Sequence, residues 1–189
     1  KGERLVNWDP HFKTAISDLE VENIEVDGYF WHIKYPLKDK INYEYLEFDE
    51  DGKVVHKDKR DYISIATTRP ETMLGDGAIA VHPDDKRYKS IIGKQVIIPI
   101  ANRVIPIIAD EYPDPNFGSG AVKITGAHDF NDYNVAKRHN LDFFKLMNES
   151  ACFLNEDFIP KKFWDLDRYK VREILLQDLE KSGFLLKSE

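Results

Sequence analysis

The 189 residues contain one cysteine, Cys152. A lone thiol excludes an internal disulfide and any zinc site built from several cysteines, and it fits a reducing compartment. Also missing is a run of roughly 18 apolar residues, so no membrane-spanning helix is expected. The opening KGERLVNWDP has no basic stretch leading into an apolar one, so no secretory signal is expected. It has no initiator Met either, which suggests a piece of something longer. There is no excess of positive charge: 27 Lys and Arg face 34 Asp and Glu, for a net charge of −7. That balance argues against a domain that grips nucleic acid by bulk charge. What remains, 42% hydrophobic with 12% aromatic residues, suffices for one core. A cytoplasmic location is the expectation.

Residues 1–27 carry few apolar anchors and read as a leading arm or linker. Gly28 to Leu37 alternates with period two, as a strand does. Tyr43 to Phe48 and Lys53 to Lys57 flank Glu50-Asp51-Gly52, a hairpin signal. Tyr62–Ala66, Ala78–Val81, Gln95–Ile100, Val104–Ala109 and Ala121–Thr125 are short β-branched runs bounded by Gly, Pro or Asp. Such closely spaced short strands predict an α+β fold with a β-barrel-like body over 28–150 rather than a parallel βαβ sheet. A short helical turn is expected over Asp84–Ser90. Asp129–His139 opens on a capping residue and ends in Lys137, Arg138 and His139, which complements a helix dipole. Asp167–Lys181 places Val171, Ile174, Leu175 and Leu179 on one stripe before Gly183. That amphipathic helix makes 151–189 a C-terminal appendage packed on the core.

Familiar catalytic signatures are absent. No GxxxxGKS or GxxxxGKT phosphate loop occurs, no HExxH, and the six His residues are scattered. Asn116 replaces the first glycine of a GxSxG elbow around Ser119. Two polar clusters stand out instead. Thr67-Thr68-Arg69-Pro70-Glu71-Thr72 follows the YISIA strand, and Pro70 keeps Arg69 out of the α region. It reads either as a polar strand exit capping a short helix begun at Pro70, or as a set of hydroxyls and a guanidinium aimed at a ligand. The second cluster runs from Phe117 to Tyr133. A strand places Lys123 and Thr125 on one face, and the following helix offers Asp129 and Asp132 at i, i+3. Asp129 reads equally as an N-cap; Asp132 fits a plain capping box less well, because Glu or Gln is usual there.

These clusters carry a resemblance. LVNWDP at 5–10 with TAISDLEVE at 14–22, TTRPETMLGD at 67–76, AVHPDD at 80–85, IPIIADEY at 105–112 and FGSGAVKITGAHDFNDY at 117–133 occur in the order found in the editing insertion of valyl-tRNA synthetases. The likeness covers nearly the whole chain. Isoleucyl enzymes carry a TTTPWT-like run at this point, and leucyl enzymes a TTRPDT-like run without the LVNWDP opening. Gly77 and Gly126 depart from the pattern, standing where Thr and Pro are usual. The resemblance implies a softer pocket polarity at Gly77 and a looser corner at Gly126. HIGH and KMSKS signatures are missing, so aminoacylation itself lies outside these residues.

The resemblance implies a hydrolase that removes threonine wrongly esterified to the 3′ end of valine tRNA, with the remainder of a parent synthetase as its other partner. It implies no metal and no cofactor. It also implies that Asp132 holds the substrate ammonium with Asp129 beside it, and that Lys123 and Thr72 contact the amino-acid hydroxyl or the reacting carbonyl. Thr67, Thr68 and Arg69 would hold the terminal ribose and backbone, and Phe117 would stack on the terminal adenine. Composition alone leaves two other readings open. One is a non-catalytic barrel module that binds an RNA 3′ end or a partner protein; the other is an editing domain for a different amino acid.

Overall fold

The computed structural model describes residues 4–22, 24, 27–49 and 51–189. The expected arm over 1–27 and Glu50 of the hairpin turn lie partly outside them. Within the arm, β1 (Asn7–Asp9) and β2 (Thr14–Ile16) pair as a small antiparallel hairpin that the loose apolar spacing did not predict. Four strands follow: β3 (Trp31–Pro36), β4 (Tyr43–Phe48), β5 (Val54–Arg60) and β6 (Tyr62–Thr67). β4 and β5 form a two-stranded ribbon whose turn holds Gly52 at φ 74°, a conformation glycine adopts without strain.

Next come β7 (Ala78–Val81), β8 (Gln95–Ile97), β9 (Val104–Ala109) and β10 (Ala121–Ile124), then α1 (Phe130–Arg138), α2 (Arg168–Lys181) and β11 (Leu185–Ser188). β8 is shorter than the predicted 95–100 because Pro99 cannot donate to a ladder and Ile100 turns back at φ 67°. The predicted helix over 84–90 is reduced to a 3-10 turn at Lys89–Ile91. The Asp85 side chain there accepts the Arg87 N–H at 3.0 Å, diverting the backbone into a local turn.

The fold is α+β, as expected, but no closed barrel forms among the described residues. Two sheets make the body, in orders β10-β7-β9-β8 and β11-β3-β6. All their pairings are antiparallel except β7 with β9. A single bridge, Leu37 to Val96, links β3 to β8 at one edge, and β10 runs beside β6 at the other. Ile63 and Ile65 on β6 and Ile33 and Tyr35 on β3 fill the space between the sheets. Thr67 continues the buried face of β6, so period two delivers a hydroxyl to the end of the core. β7 is buried on both faces: Ile79 and Val81 join the main core, while Ala78 and Ala80 pack under α1. Residues 151–189 share that main core through Phe153, Phe163, Val171, Leu175 and Leu179, and β11 pairs with β3. α2 is capped by Asp167 and stopped by Gly183 at φ 72°.

Candidate functional site

Proline sets the first corner. Pro70 holds Arg69 at φ −127°, ψ 67° and starts a buried 3-10 turn, Pro70–Gly75. The short helix expected there exists, but no threonine caps its start. Thr67 Oγ1 accepts the Arg69 N–H at 3.1 Å, and Thr72 donates its hydroxyl to the Arg69 carbonyl at 2.9 Å. Thr68 points to solvent. Arg69 reaches across the corner and donates to the His128 carbonyl at 3.1 Å.

β10 delivers Lys123 to the same place. Its ammonium donates to Thr72 Oγ1 at 2.7 Å and Thr125 Oγ1 at 2.5 Å, and pairs with Asp76 Oδ1 at 3.3 Å. Asp76 is fully buried and also accepts the hydroxyls of Thr125 (2.6 Å) and Tyr35 (2.8 Å). Burial raises Asp76 above the usual carboxylate range, against the pull of Lys123, Thr125 and Tyr35. The same burial, with Asp76 alongside, pushes the Tyr35 hydroxyl far above its ordinary value, so it stays a donor.

The two helical carboxylates divide. Asp129 is exposed and caps α1, accepting the N–H groups of Asn131 at 2.8 Å and Asp132 at 3.1 Å. Asp132 is buried and accepts the Thr125 N–H at 2.8 Å. No described cation lies within ion-pair distance of it. Desolvation therefore raises Asp132 to about 6, only partly offset by the Thr125 N–H and the more distant Lys123. His128, between the two clusters, is lowered to about 4 by burial and by the charges of Arg69, Lys123 and Lys145. It is neutral near pH 7, with Nε2 accepting the Leu146 N–H at 2.9 Å.

Phe117 stands 65% exposed on the loop before β10, edge-on to Phe30 at 6.0 Å. Arg87 and Tyr88 hold that loop from beneath by donating to the carbonyls of Pro115 and Ser119. Gly120, at φ 73°, is required there, because a Cβ would lie 2.1 Å from Arg87 Nη2. Gly126 does not loosen its corner. A Cβ at that position would sit 2.7 Å from Ala136 Cβ and 3.0 Å from Phe143, so its absence lets α1 close tightly over β10. Gly77 is also close-packed: a Cβ there would lie 3.2 Å from the Asp142 carbonyl oxygen.

Thr72, Lys123 and Asp132 thus meet with Thr125 and Asp76 in one nearly enclosed polar group. Thr68, Asp129 and Phe117 are exposed to solvent. Two surface clefts of about 470 and 400 Å³ flank β4 and touch none of these residues. Among the described residues no group of His, Cys, Asp and Glu is arranged to hold a metal ion. Sequence reasoning missed Asp76, Tyr35 and His128 as members of the group. The signal for Asp76 was a lone acid within the apolar stretch MLGDGAIAV.

No family profile matches the chain. Among solved structures it is similar to the LeuRS of Agrobacterium radiobacter K84, seen in a ternary complex with tRNA and LeuAMS. That likeness has a TM-score of 0.53 at 18% identity, over 86% of this chain and 20% of that one, and concerns the fold alone. The fold is one carried within an aminoacyl-tRNA synthetase. The chain is 53% identical over 190 residues to the valine–tRNA ligase of Caulobacter vibrioides and 50% over 189 to that of Xanthomonas campestris, covering all of this chain in both. The Ruegeria pomeroyi valine–tRNA ligase is 68% identical over 152 residues, 78% of this chain. The chain belongs to the valine–tRNA ligase family, and it spans only 15–21% of the length of these relatives.

Proposed function

We propose that this segment proofreads: it hydrolyses threonine wrongly esterified to the 3′ end of valine tRNA. The observation that carries the reading is Asp132, a buried carboxylate without a described ion-pair partner, set beside a Lys–Thr cluster. A group held at that desolvation cost is stabilised by a cation brought from outside, and the α-ammonium of an aminoacyl ester is such a cation. The need is chemical. A hydrophobic pocket separates valine from threonine by only about 10², an established figure for valyl-tRNA synthetases rather than one obtained from this structure. A second, small and hydroxyl-lined pocket supplies the missing selectivity, and Thr72, Thr125 and Lys123 are such a lining.

In the reaction, water adds to the ester carbonyl, the acyl C–O bond breaks, and threonine leaves from the terminal ribose hydroxyl. Asp132 binds the ammonium, with Asp129 at the solvent side. Lys123 faces the substrate hydroxyl and the developing oxyanion as a cation already fixed in place. Thr72, whose hydroxyl proton goes to the Arg69 carbonyl, lines the pocket beside it and holds the Lys123 ammonium as an acceptor. Thr67, Thr68 and Arg69 hold the ribose end, and the exposed ring of Phe117 stacks on the terminal base, worth roughly 1–3 kcal/mol. With a net charge of −7, affinity for the rest of the tRNA belongs to the parent synthetase.

The test is hydrolysis of threonyl- against valyl-esterified valine tRNA by this protein and by its parent enzyme. Threonyl-tRNA is cleaved and valyl-tRNA spared, and Asp132→Ala abolishes cleavage while remaining folded. Equal cleavage by wild type and Asp132→Ala would remove Asp132 from the site, and a wild type that cleaves neither ester would remove the reading itself.

A further inference from the structure

Glu71 stands between Arg69 and Thr72, and it is one of the most deeply buried charges in the protein, 1% exposed. Its partner comes from 101 positions away. Arg172 on α2 donates Nε and Nη2 to the two carboxylate oxygens at 2.8 and 2.9 Å, a planar two-bond fork. Arg69 Nε also approaches this carboxylate, 3.8 Å from the oxygen that Arg172 Nη2 bonds. The Arg172 guanidinium also lies 5.7 Å from the ring of Trp31, the β3 residue paired in register with Thr67. One guanidinium on the C-terminal helix thus touches the turn that bears Thr72 and the strand that pairs with Thr67.

A buried ion pair is a poor way to gain stability, since apolar residues of similar volume often do as well. What a two-bond fork does provide is direction. In a 3-10 helix successive side chains point about 120° apart, so fixing the direction of Glu71 fixes that of Thr72 next to it. Thr72 needs that. Its hydroxyl must meet both the Arg69 carbonyl and the Lys123 ammonium, and rolling the turn breaks one bond or the other.

We infer that Arg172 is a positioning residue: through its fork to Glu71 it sets the roll of the Pro70–Gly75 turn, and hence the aim of Thr72 and Lys123 at the substrate. This rests on the hydrolytic reading above. It makes the C-terminal segment 151–189 part of the site's machinery although none of its residues lines the polar group.

Three variants test it: Arg172→Lys, which keeps the charge but not the fork; Arg172→Leu; and the double variant Glu71→Met/Arg172→Leu, which leaves no buried charge unpaired and remains folded where the single Leu variant does not. Deacylation of threonyl-tRNA is measured below each variant's melting temperature, with kcat and KM separated. The 15N resonance of the Lys123 ammonium, which donates to Thr72 and Thr125, is recorded on the same samples. Expected for Arg172→Lys and the double variant are a kcat lower by about tenfold or more, a KM within about twofold, and a shifted or broadened Lys123 signal. A wild-type kcat with an unchanged Lys123 signal in both would overturn the inference and leave Arg172 as packing. Wild-type protein that fails to deacylate defeats the hydrolytic reading instead, and the Lys123 signal then still reports whether Arg172 aims the turn.

Discussion

Lys123 donates to Thr72 at 2.7 Å across 51 positions of sequence, and that bond joins the two polar clusters into one group. Each residue helps to hold the other. The ammonium is pinned by Thr72, Thr125 and Asp76, and the Thr72 hydroxyl is spent on the Arg69 carbonyl, so its remaining lone pairs face Lys123.

Thr72→Ala separates a sieve from a simple turn contact. The methyl and hydroxyl removed are buried, so the change opens space beside the substrate side chain and strips Lys123 of one acceptor. If Thr72 excludes the second methyl of valine, valyl-tRNA becomes a substrate, with discrimination lowered by roughly 1–3 kcal/mol. If it serves only the turn, the melting temperature falls for a loss of about 1 kcal/mol and valyl-tRNA is still refused. Deacylation and melting on one sample decide, and the second result would move the sieve to Thr125, Lys123 or the backbone.

Gly126→Ala is expected to destabilise. The new methyl meets Ala136 Cβ at 2.7 Å and Phe143 at 3.0 Å, and the backbone of α1 must give way. Overpacking of this kind costs about 1–3 kcal/mol. The double variant Gly126→Ala/Ala136→Gly regains part of it. Denaturant midpoints check both, and a single variant as stable as wild type would show that the corner has slack.

How much of this was legible beforehand follows from the range of the forces involved. Period two in YISIAT and the cap at Asp129 are local, and β6 and α1 appear where those signals put them. The convergence of Lys123 with Asp76 is not local. It depends on β10 pairing with β7 in a register that sets Lys123 opposite Ile79, and no window of sequence contains that register. The division of Asp129 from Asp132 was half visible: i, i+3 spacing put both on neighbouring positions, but only packing of α1 on Ala78 and Ala80 decides which is buried. β11 was unreadable, because the mostly exposed LLKS becomes a strand only by lying against β3.

Gly120→Ala tests whether the Phe117 loop must be held. A Cβ 2.1 Å from Arg87 Nη2 expels the guanidinium from its place between Asp85 and the Pro115 carbonyl, and φ 73° is itself strained for alanine. The loop then loses its support. KM for threonyl-tRNA is expected to rise with little change in kcat, and Phe117→Ala to raise it by a similar factor, corresponding to roughly 1–3 kcal/mol. Combining the two changes should add little, since both remove one stacking contact. Fully additive effects would mean that the loop matters for something other than Phe117.

The protonation of Asp132 gives the sharpest pH signature. Its carboxyl is raised from an ordinary value near 3.8 to about 6, chiefly by burial. Between those values the folded protein binds more protons at this group than the unfolded chain does. Its contribution to stability is therefore present in full below about pH 4 and is lost as pH rises to about 6, above which the folded state carries a desolvated charge at a cost of roughly 2–3 kcal/mol. Asp132→Asn keeps an acceptor for the Thr125 N–H but cannot ionise. It should match wild type near pH 4 and exceed it in melting temperature above pH 6. Catalysis runs the other way. An ammonium is held only by the ionised carboxylate, so wild-type deacylation rises through pH 6 to a plateau, and Asp132→Asn stays inactive throughout. Melting curves and initial rates from pH 4 to 8 check both halves. A stability difference that is the same at pH 4 and pH 8 would mean that Asp132 does not carry the buried charge, and the ammonium would then need another holder.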